Sequence, residues 1–327
     1  MPTLLLSLGS NLGLRATTLA TACDLLALAL GGEGIVSDCY ESDPVGFASG
    51  HRFLNCAARF TCNLPLAEAF ACCRQVERLL GRTQKSHGGH YADRPIDIDL
   101  LAWDDVKTDT PSLTLPHPRM TERAFVLLPL AEIAGGLRHA GTGQTYAELA
   151  SRCDSTEAMR LPHTAPRPCR RLRADDVTPR LTAEINRLLA QLSPGRQPWQ
   201  TEGLRTLLKE EALCLLALSN AEGRLIGMAS LLTTPQLTGL KGHVEDVVVD
   251  AVHRGKGLGK RLMANTLAHA AAAGIQSLEL TSRPARKAAN ALYRKMGFTL
   301  RETNTYQIKG DSLTRWTAVA TAEKREQ

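Results

Sequence analysis

The sequence predicts an α+β chain of two domains, residues 1–160 and 169–320, joined by a linker at 161–168 and followed by a short tail, 321–327. Three observations carry this expectation. The 327 residues exceed what one ordinary core holds. The hydrophobic pattern runs strand, helix, strand, strand, helix, strand through Trp103, and a different pattern begins after Pro168. The charge is also split. Residues 1–160 carry 14 Lys+Arg against 18 Asp+Glu, a net −4, and residues 161–327 carry 25 against 15, a net +10.

The elements follow in order. Thr3–Leu8 is an apolar run of strand length, closed by the turn Gly9-Ser10-Asn11-Leu12-Gly13. Arg15–Leu30 places Leu19, Leu25, Leu26 and Leu30 near helical spacing, and Gly31-Gly32 ends it. Ile35–Ser42 reads as a strand before a loop starting at Asp43-Pro44-Val45-Gly46. Phe53–Cys62 is a strand, and Pro65–Leu80 a helix stopped by Gly81. Thr83–Asp93 is a polar, Gly-containing loop, long enough to act as a lid. Ile96–Trp103 is a strand and Thr121–Ala134 a helix. This order gives an α/β sandwich of ferredoxin-like layout. Pro162, Pro166 and Pro168 mark the linker. Beyond it, Arg171–Arg173 reads as a strand, Thr178–Leu192 as a helix, and Ala212–Ser219 with Arg224–Leu232 as a hairpin. Val244–Asp250 is a strand, Gly259–Ala273 a helix, Ser277–Thr281 a strand and Lys287–Met296 a helix. The linker implies that each domain buries its own core and works independently of the other.

Composition narrows the function. The nine cysteines lack metal-ligand spacing and sit mostly in apolar segments, as buried thiols in a reducing, cytoplasmic setting do. The N-terminus has no signal-peptide pattern, and the best apolar run is broken by Asp24, which excludes a membrane partner. The basic half suits an anionic cofactor or an acidic substrate. It has no dense Lys/Arg run with interleaved aromatics, which argues against nucleic acid.

Arg94-Pro95-Ile96-Asp97-Ile98-Asp99-Leu100-Leu101 is the most informative stretch. Side chains alternate along a strand, so Asp97 and Asp99 share one face while Ile96, Ile98 and Leu100 turn to the core. Adjacent carboxylates repel unless a cation sits between them, and hard oxygen ligands suit Mg²⁺. Arg94 offers a charge for phosphate oxygens. Phe53 and Asn55 alternate on another strand face, and Phe125 lies in Arg123-Ala124-Phe125. An aromatic pair can sandwich a flat heterocycle whose edge an Asn amide reads. Glu77 and Arg82 flank the polar loop, and Thr114-Leu115-Pro116-His117 follows the acidic strand. His87 and His90 in that loop read as polar lid residues or as metal ligands.

This ordered set resembles the 6-hydroxymethyl-7,8-dihydropterin pyrophosphokinases (HPPK) of folate synthesis. It comprises Gly9-Ser10-Asn11-Leu12, Phe53-Leu54-Asn55-Cys56-Ala57, Gly81-Arg82, Arg94-x-x-Asp97-Ile98-Asp99-Leu100-Leu101, Leu115-Pro116-His117-Pro118-Arg119-Met120 and Arg123-Ala124-Phe125. The resemblance implies that Asp97 and Asp99 hold two Mg²⁺ that bridge the phosphates of ATP. It also implies that Phe53 and Phe125 stack on the pterin, with Asn55 on its edge and Ser42 and Val45 lining the pocket. Glu77, Arg82, Arg94, Thr114, His117 and Arg123 would contact ATP or its phosphates, with Arg82 and Arg94 acting in catalysis. The loop departs from familiar members: Gln84 replaces an arginine, and Asp93 stands where a small residue or proline is usual.

In the second half, His253-Arg254-Gly255-Lys256-Gly257-Leu258-Gly259-Lys260 lies between a strand and a helix, where glycines let a backbone approach a diphosphate. Ala288–Phe298 contains Asn290 and Tyr293. The pair of motifs resembles the GNAT N-acetyltransferases. The resemblance implies an acetyl-CoA site at Arg254, Gly255, Gly257, Gly259, Lys260 and Asn290, with Tyr293 as general acid, Glu245 as a candidate base and an amine acceptor that the motifs leave unnamed. Tyr293 also reads as a core residue under Phe298. Three readings stand: a bifunctional pterin diphosphokinase and acetyltransferase; an acetyltransferase with a non-catalytic pterin/ATP-binding domain; and a ligand-sensing binding module.

Overall fold

A computed structural model describes residues 1–82 and 92–308. Residues 83–91 of the expected lid, including Gln84, Lys85, His87 and His90, lie outside the described residues, as does the tail. The first half runs β1 (Thr3–Ser10), α1 (Arg15–Leu30), β2 (Ile35–Val36), β3 (Cys39–Ser42), β4 (Phe53–Thr61), α2 (Leu66–Leu79) and β5 (Asp97–Trp103). A small ribbon, β6 (Thr108–Asp109) with β7 (Thr114–Leu115), precedes α3 (Ala124–Ala134), α4 (Tyr146–Ala150) and β8 (Ala158–Leu161). The main sheet is ordered β5-β1-β4-β3-β8 and antiparallel throughout, with β2 also on β4.

The expected βαββαβ path is present. The predicted strand Ile35–Ser42 is split in two, because Ser37 turns its hydroxyl onto Ala57 N and Asp38 turns toward the chain around 163–165. Helices α1 and α2 cover one face of the sheet, joining Leu19, Leu26, Cys73 and Val76 to Leu6, Leu8, Ile96 and Ile98. Helix α3 covers the other face with Val126, Leu127 and Leu130 against Leu5 and Leu101. The sandwich is therefore three layers deep, and the apolar side chains on both faces of β1 and β5 are buried.

The second half runs β9 (Arg170–Leu172), α5 (Pro179–Leu192), α6 (Thr201–Leu207), β10 (Leu213–Ser219), β11 (Leu225–Gln236), β12 (Gly239–Val249), α7 (Leu258–Ala272) and β13 (Ser277–Leu280). Its sheet is ordered β13-β12-β11-β10-β9. Helix α5 buries Ile185, Leu188 and Leu189 on one face, and α7 packs Leu262 on the other. Pro179 opens α5 at a position that needs no donor, and Thr178 accepts from Leu181 N as its cap. The polar stretch 198–209 conceals α6, an element that the apolar pattern does not announce.

One compact unit runs Met1–Arg283 and thus takes in the first half and most of the second; another begins at Pro284 and holds α8 (Lys287–Lys295). The stretch expected as a linker is not a free tether. Leu161 pairs with Cys39 at the sheet edge, and Asp38 accepts from the amides of His163, Thr164 and Ala165 at 3.2, 2.9 and 3.0 Å. Helix α1 then lies along α7, with Asp24 paired to Arg261. Each half has buried clusters of its own, and the α1–α7 contact adds an interface between them. Its partners lie far apart in sequence.

Asp38→Ala removes the acceptor for three backbone amides. Exchange at Thr164 and Ala165 is expected to accelerate about 10- to 100-fold, from the ~1–3 kcal/mol cost of stranding a buried polar group. Unchanged exchange would show that the carboxylate does not hold the segment. Burial acts to raise the Asp38 carboxyl, but the amides of Ala165, Thr164 and His163, with Arg160, hold it below its ordinary range. Its hold is therefore full above about pH 4, the ordinary Asp value, and lost only as pH falls through the lower folded value.

Candidate active sites

In the first half the sheet itself lays out the site. Gly9 on β1 pairs with Asp97 on β5 and with Asn55 on β4, so the three stand in one row across the strands. Ser7 faces Asp99 in the next row. A Cβ on Gly9 would lie 2.9 Å from Asn55 Oδ1, so glycine here leaves the trough in which the amide sits. Asn55 Nδ2 donates to Ser42 Oγ at 3.0 Å, which fixes the amide plane. Asp97 and Asp99 share the face opposite buried Ile98 and Leu100, as the alternation predicts.

These residues open on a cavity of ≈ 300 Å³. Asp97, Asp99, Arg82, Arg94, His117 and Arg123 line it toward β5, and Ser42, Val45, Phe53, Asn55 and Phe125 line it toward β3 and β4. The Arg94 guanidinium lies 5.0 Å from the Phe53 ring centre, and that of Arg123 lies 5.6 Å from Phe125. Phe47 meets Phe53 edge-on at 6.3 Å. Aromatic faces and cations thus share one chamber.

The charges form a chain. Glu77 is buried, bonding Arg74 at 2.8 Å, Arg82, and the amide of Ile98 at 2.9 Å. Arg82 also pairs with Asp97, whose other oxygen meets Arg94 at 2.7 Å. Burial acts to raise the Asp97 carboxyl, but Arg94 and Arg82 outweigh it and hold it below its ordinary range. Asp99 is pushed up to about 6 by burial and by Asp97, against Arg123. His117 is pushed down to about 4 by burial, then by Arg123 and Arg119, and its amide donates to Leu101 O at 2.8 Å. The imidazole is therefore neutral at neutral pH.

Two expected ATP contacts stand outside the cavity walls. Glu77 lies beneath them as the anchor for Arg82 and Arg74, and Thr114 bonds Asp109 at 2.9 Å in the small ribbon. The cavity also has walls that sequence reasoning did not assign, notably Arg74, Arg119 and Phe47. Arg74 was legible as the residue one helical turn before Glu77.

In the second half, β13 runs parallel to β12 only from Lys241 to Val244, while β12 continues to Val249. Among the described residues, no strand pairs with that side of β12 beyond Val244, beside Glu245. Asp246 adopts φ +52°, and the pairing with β11 shifts there, a bulge that separates the aim of Glu245 from that of Asp246. The Glu245 carboxyl is raised by burial and by Asp246. Gly255 and Gly257 take φ of +77° and +75°, and α7 starts at Leu258. Arg254, Gly255, Lys256 and Lys260 are exposed; Gly257 and Gly259 are half-buried. Beyond Pro284, the Tyr293 ring meets Phe298 at 6.1 Å, and Asn290 Nδ2 donates to Arg286 O at 3.1 Å. Among the described residues, no group of three or more His, Cys, Asp or Glu gathers to hold a metal, and no helix is long and apolar enough to cross a membrane.

Residues 5–135 match the family model for 7,8-dihydro-6-hydroxymethylpterin-pyrophosphokinase (HPPK). A Porphyromonas gingivalis 2-amino-4-hydroxy-6-hydroxymethyldihydropteridine pyrophosphokinase is 45% identical over 130 residues, 39% of this chain and 88% of the relative. The chain belongs to the HPPK family. A Bacillus subtilis HPPK relative is 42% identical over 129 residues, covering 39% of this chain and 75% of its own length. Residues 183–298 match the acetyltransferase (GNAT) family model, so the HPPK domain is fused to a GNAT-type domain. An acetyltransferase structure from Trypanosoma brucei covers 43% of this chain and 97% of its own length at 26% identity and TM-score 0.37.

Glu77→Ala should destabilise the HPPK domain by about 3–5 kcal/mol, because it strands a buried guanidinium and the Ile98 amide. Chemical denaturation reads this directly. A loss below about 1 kcal/mol would mean that Arg82 and Arg74 are satisfied without it.

Proposed function

We propose that the HPPK domain transfers diphosphate from ATP to 6-hydroxymethyl-7,8-dihydropterin and releases AMP, and that the GNAT domain transfers acetyl from acetyl-CoA to an amine. The observation that carries the first half is the single cavity that joins two carboxylates, several guanidiniums, two aromatic rings and a fixed amide edge. Each group has a use. Phe53 and Phe125 offer flat faces to the pterin, and Asn55, held by Ser42, reads its edge. Arg82, Arg94 and Arg123, with Arg74 and Arg119, face the phosphates and neutralise the charge that shifts as the bridging oxygen leaves.

The acids pass a fit test for Mg²⁺. They are oxygen donors on one strand face, and Asp99 sits high in pKa beside Asp97, the mark of a pair that a cation relieves. Asp97 and Asp99 would hold Mg²⁺, which when bound would supply charge neutralisation and acidify the attacking hydroxyl. The protein's own work is positioning. Gly9 keeps the row between Asp97 and Asn55 open, and this brings the reacting hydroxymethyl group and the phosphates into one trough. Neutral His117 adds no charge there.

In the GNAT domain we assign the diphosphate of acetyl-CoA to the loop 254–259 and the start of α7. The open edge of β12 suits an extended thioester arm. Tyr293 is assigned as the acid that protonates the leaving thiolate, and Asn290 as a cofactor contact.

The nucleotide product tests the reaction: AMP is expected, and ADP with a monophosphorylated pterin would overturn it. Asp99→Asn keeps the shape and removes a charge; AMP formation should fall at least about 100-fold, and near-normal turnover would remove Asp99 from the machinery. Gly9→Ala should push on Asn55 Oδ1 and weaken pterin binding about 3- to 10-fold, the worth of one hydrogen bond, while ATP binding holds. Calorimetry that shows equal losses for both ligands would refute the pterin assignment of Asn55.

A further inference from the structure

The loop assigned to acetyl-CoA is not built by the GNAT domain alone. Asp24, buried in α1 of the HPPK domain, accepts from Arg261 Nε at 2.7 Å and Nη2 at 3.0 Å, from Asn265 Nδ2 at 3.0 Å and from the amide of Cys169 at 2.8 Å. Arg261 also donates to Arg167 O. This clamp sets the register of α1 on α7. Two helical turns before Asp24, Thr17 Oγ1 donates to the carbonyl oxygen of Lys256 at 2.7 Å. A Cβ on Gly257 would stand 2.8 Å from Leu14 Cδ1 and 3.2 Å from Thr17 Cγ2, so α1 is seated on the loop itself.

We propose that Thr17 is a positioning residue for the diphosphate of acetyl-CoA, a reading that rests on the acetyl-CoA assignment of this loop. The Lys256 carbonyl and the Gly257 N–H belong to one planar trans peptide and point in opposite directions. The bond from Thr17 draws the carbonyl toward α1 and so turns the N–H away from it. Gly255 and Gly257, both at positive φ, set the neighbouring amides into a concave, anion-binding arrangement beside the start of α7. Glycine-rich peptides flip readily, and the Thr17 hydroxyl removes that freedom. The HPPK domain thereby supplies part of the cofactor site of its neighbour. Gly257→Glu, the obvious probe of the loop, would also drive a side chain into Leu14 and Thr17, so the test must come from α1.

The experiment titrates CoA into the full chain and into its Thr17→Val and Thr17→Ser variants. Valine keeps the branched shape against Gly257 and loses the donor; serine keeps the donor. Thr17→Val should weaken CoA about 3- to 10-fold, the worth of one hydrogen bond, and Thr17→Ser should stay within about twofold. Protection of the Gly257 amide by CoA should drop in the valine variant, with Tm and AMP release unchanged in both. Parent-like CoA affinity in Thr17→Val overturns the proposal, as does an equal loss in both variants with a lowered Tm. A parent chain that binds no CoA refutes the acetyl-CoA reading itself.

Discussion

A single buried carboxylate decides how α1 and α7 meet within the unit Met1–Arg283. Helix α1 is apolar on nearly every side, because the HPPK sheet covers one flank and α7 covers another. Asp24 is its one buried charge, and burying it without partners would cost several kcal/mol. Four donors meet it, two of them from the forked guanidinium of Arg261. Such a pair adds little net stability over a well-packed apolar contact, but it penalises every other register. The fusion is thereby specified as a docked pair, with the segment 161–168 pinned at one end by Asp38 and at the other by Asp24.

The HPPK site applies the same physics at its surface. Glu77 ties Arg82 from below, and Arg82 and Arg94 neutralise Asp97 from above. Asp99 is left with Arg123 as its main opposing charge and stays high. The guanidiniums that hold Asp97 also face the cavity where phosphates would lie. On the proposed assignment, phosphates bound there would exchange one set of ionic partners for another, so the site would not bury an unpaired charge.

Much of this was legible in the chain. The alternation around Asp97 and Asp99 gave the face of each residue, because a one-residue slip would turn both acids to the buried face of Ile98 and Leu100. The helix Arg15–Leu30 and the βαββαβ order follow from periodicity in the same way. Three things were not legible. Asp24 read as an interruption, since Arg261 lies 237 residues away and nothing local announces the pair. The depth of Glu77 was a second, since sequence reports proximity to a site but not burial. The anchoring of the Pro-rich stretch was a third, since proline signals an extended backbone and says nothing of what the flanking amides bond to.

Glycine shows how one sequence signal can have two physical causes. Gly255 has φ +77° and open space where a Cβ would be, so its need is conformational. Gly9 sits in a regular strand, and its need is room for Asn55. Gly257 carries both: φ +75°, and a helix from another domain against its Cα. A glycine-rich loop before a helix therefore reads correctly as a place where a backbone comes close to something. At Gly257 the close neighbour on one side is α1, and on our proposal the Lys256–Gly257 peptide, held by Thr17, turns its N–H to the other side. The same missing side chain would then serve both the seating of α1 and the presentation of the amide.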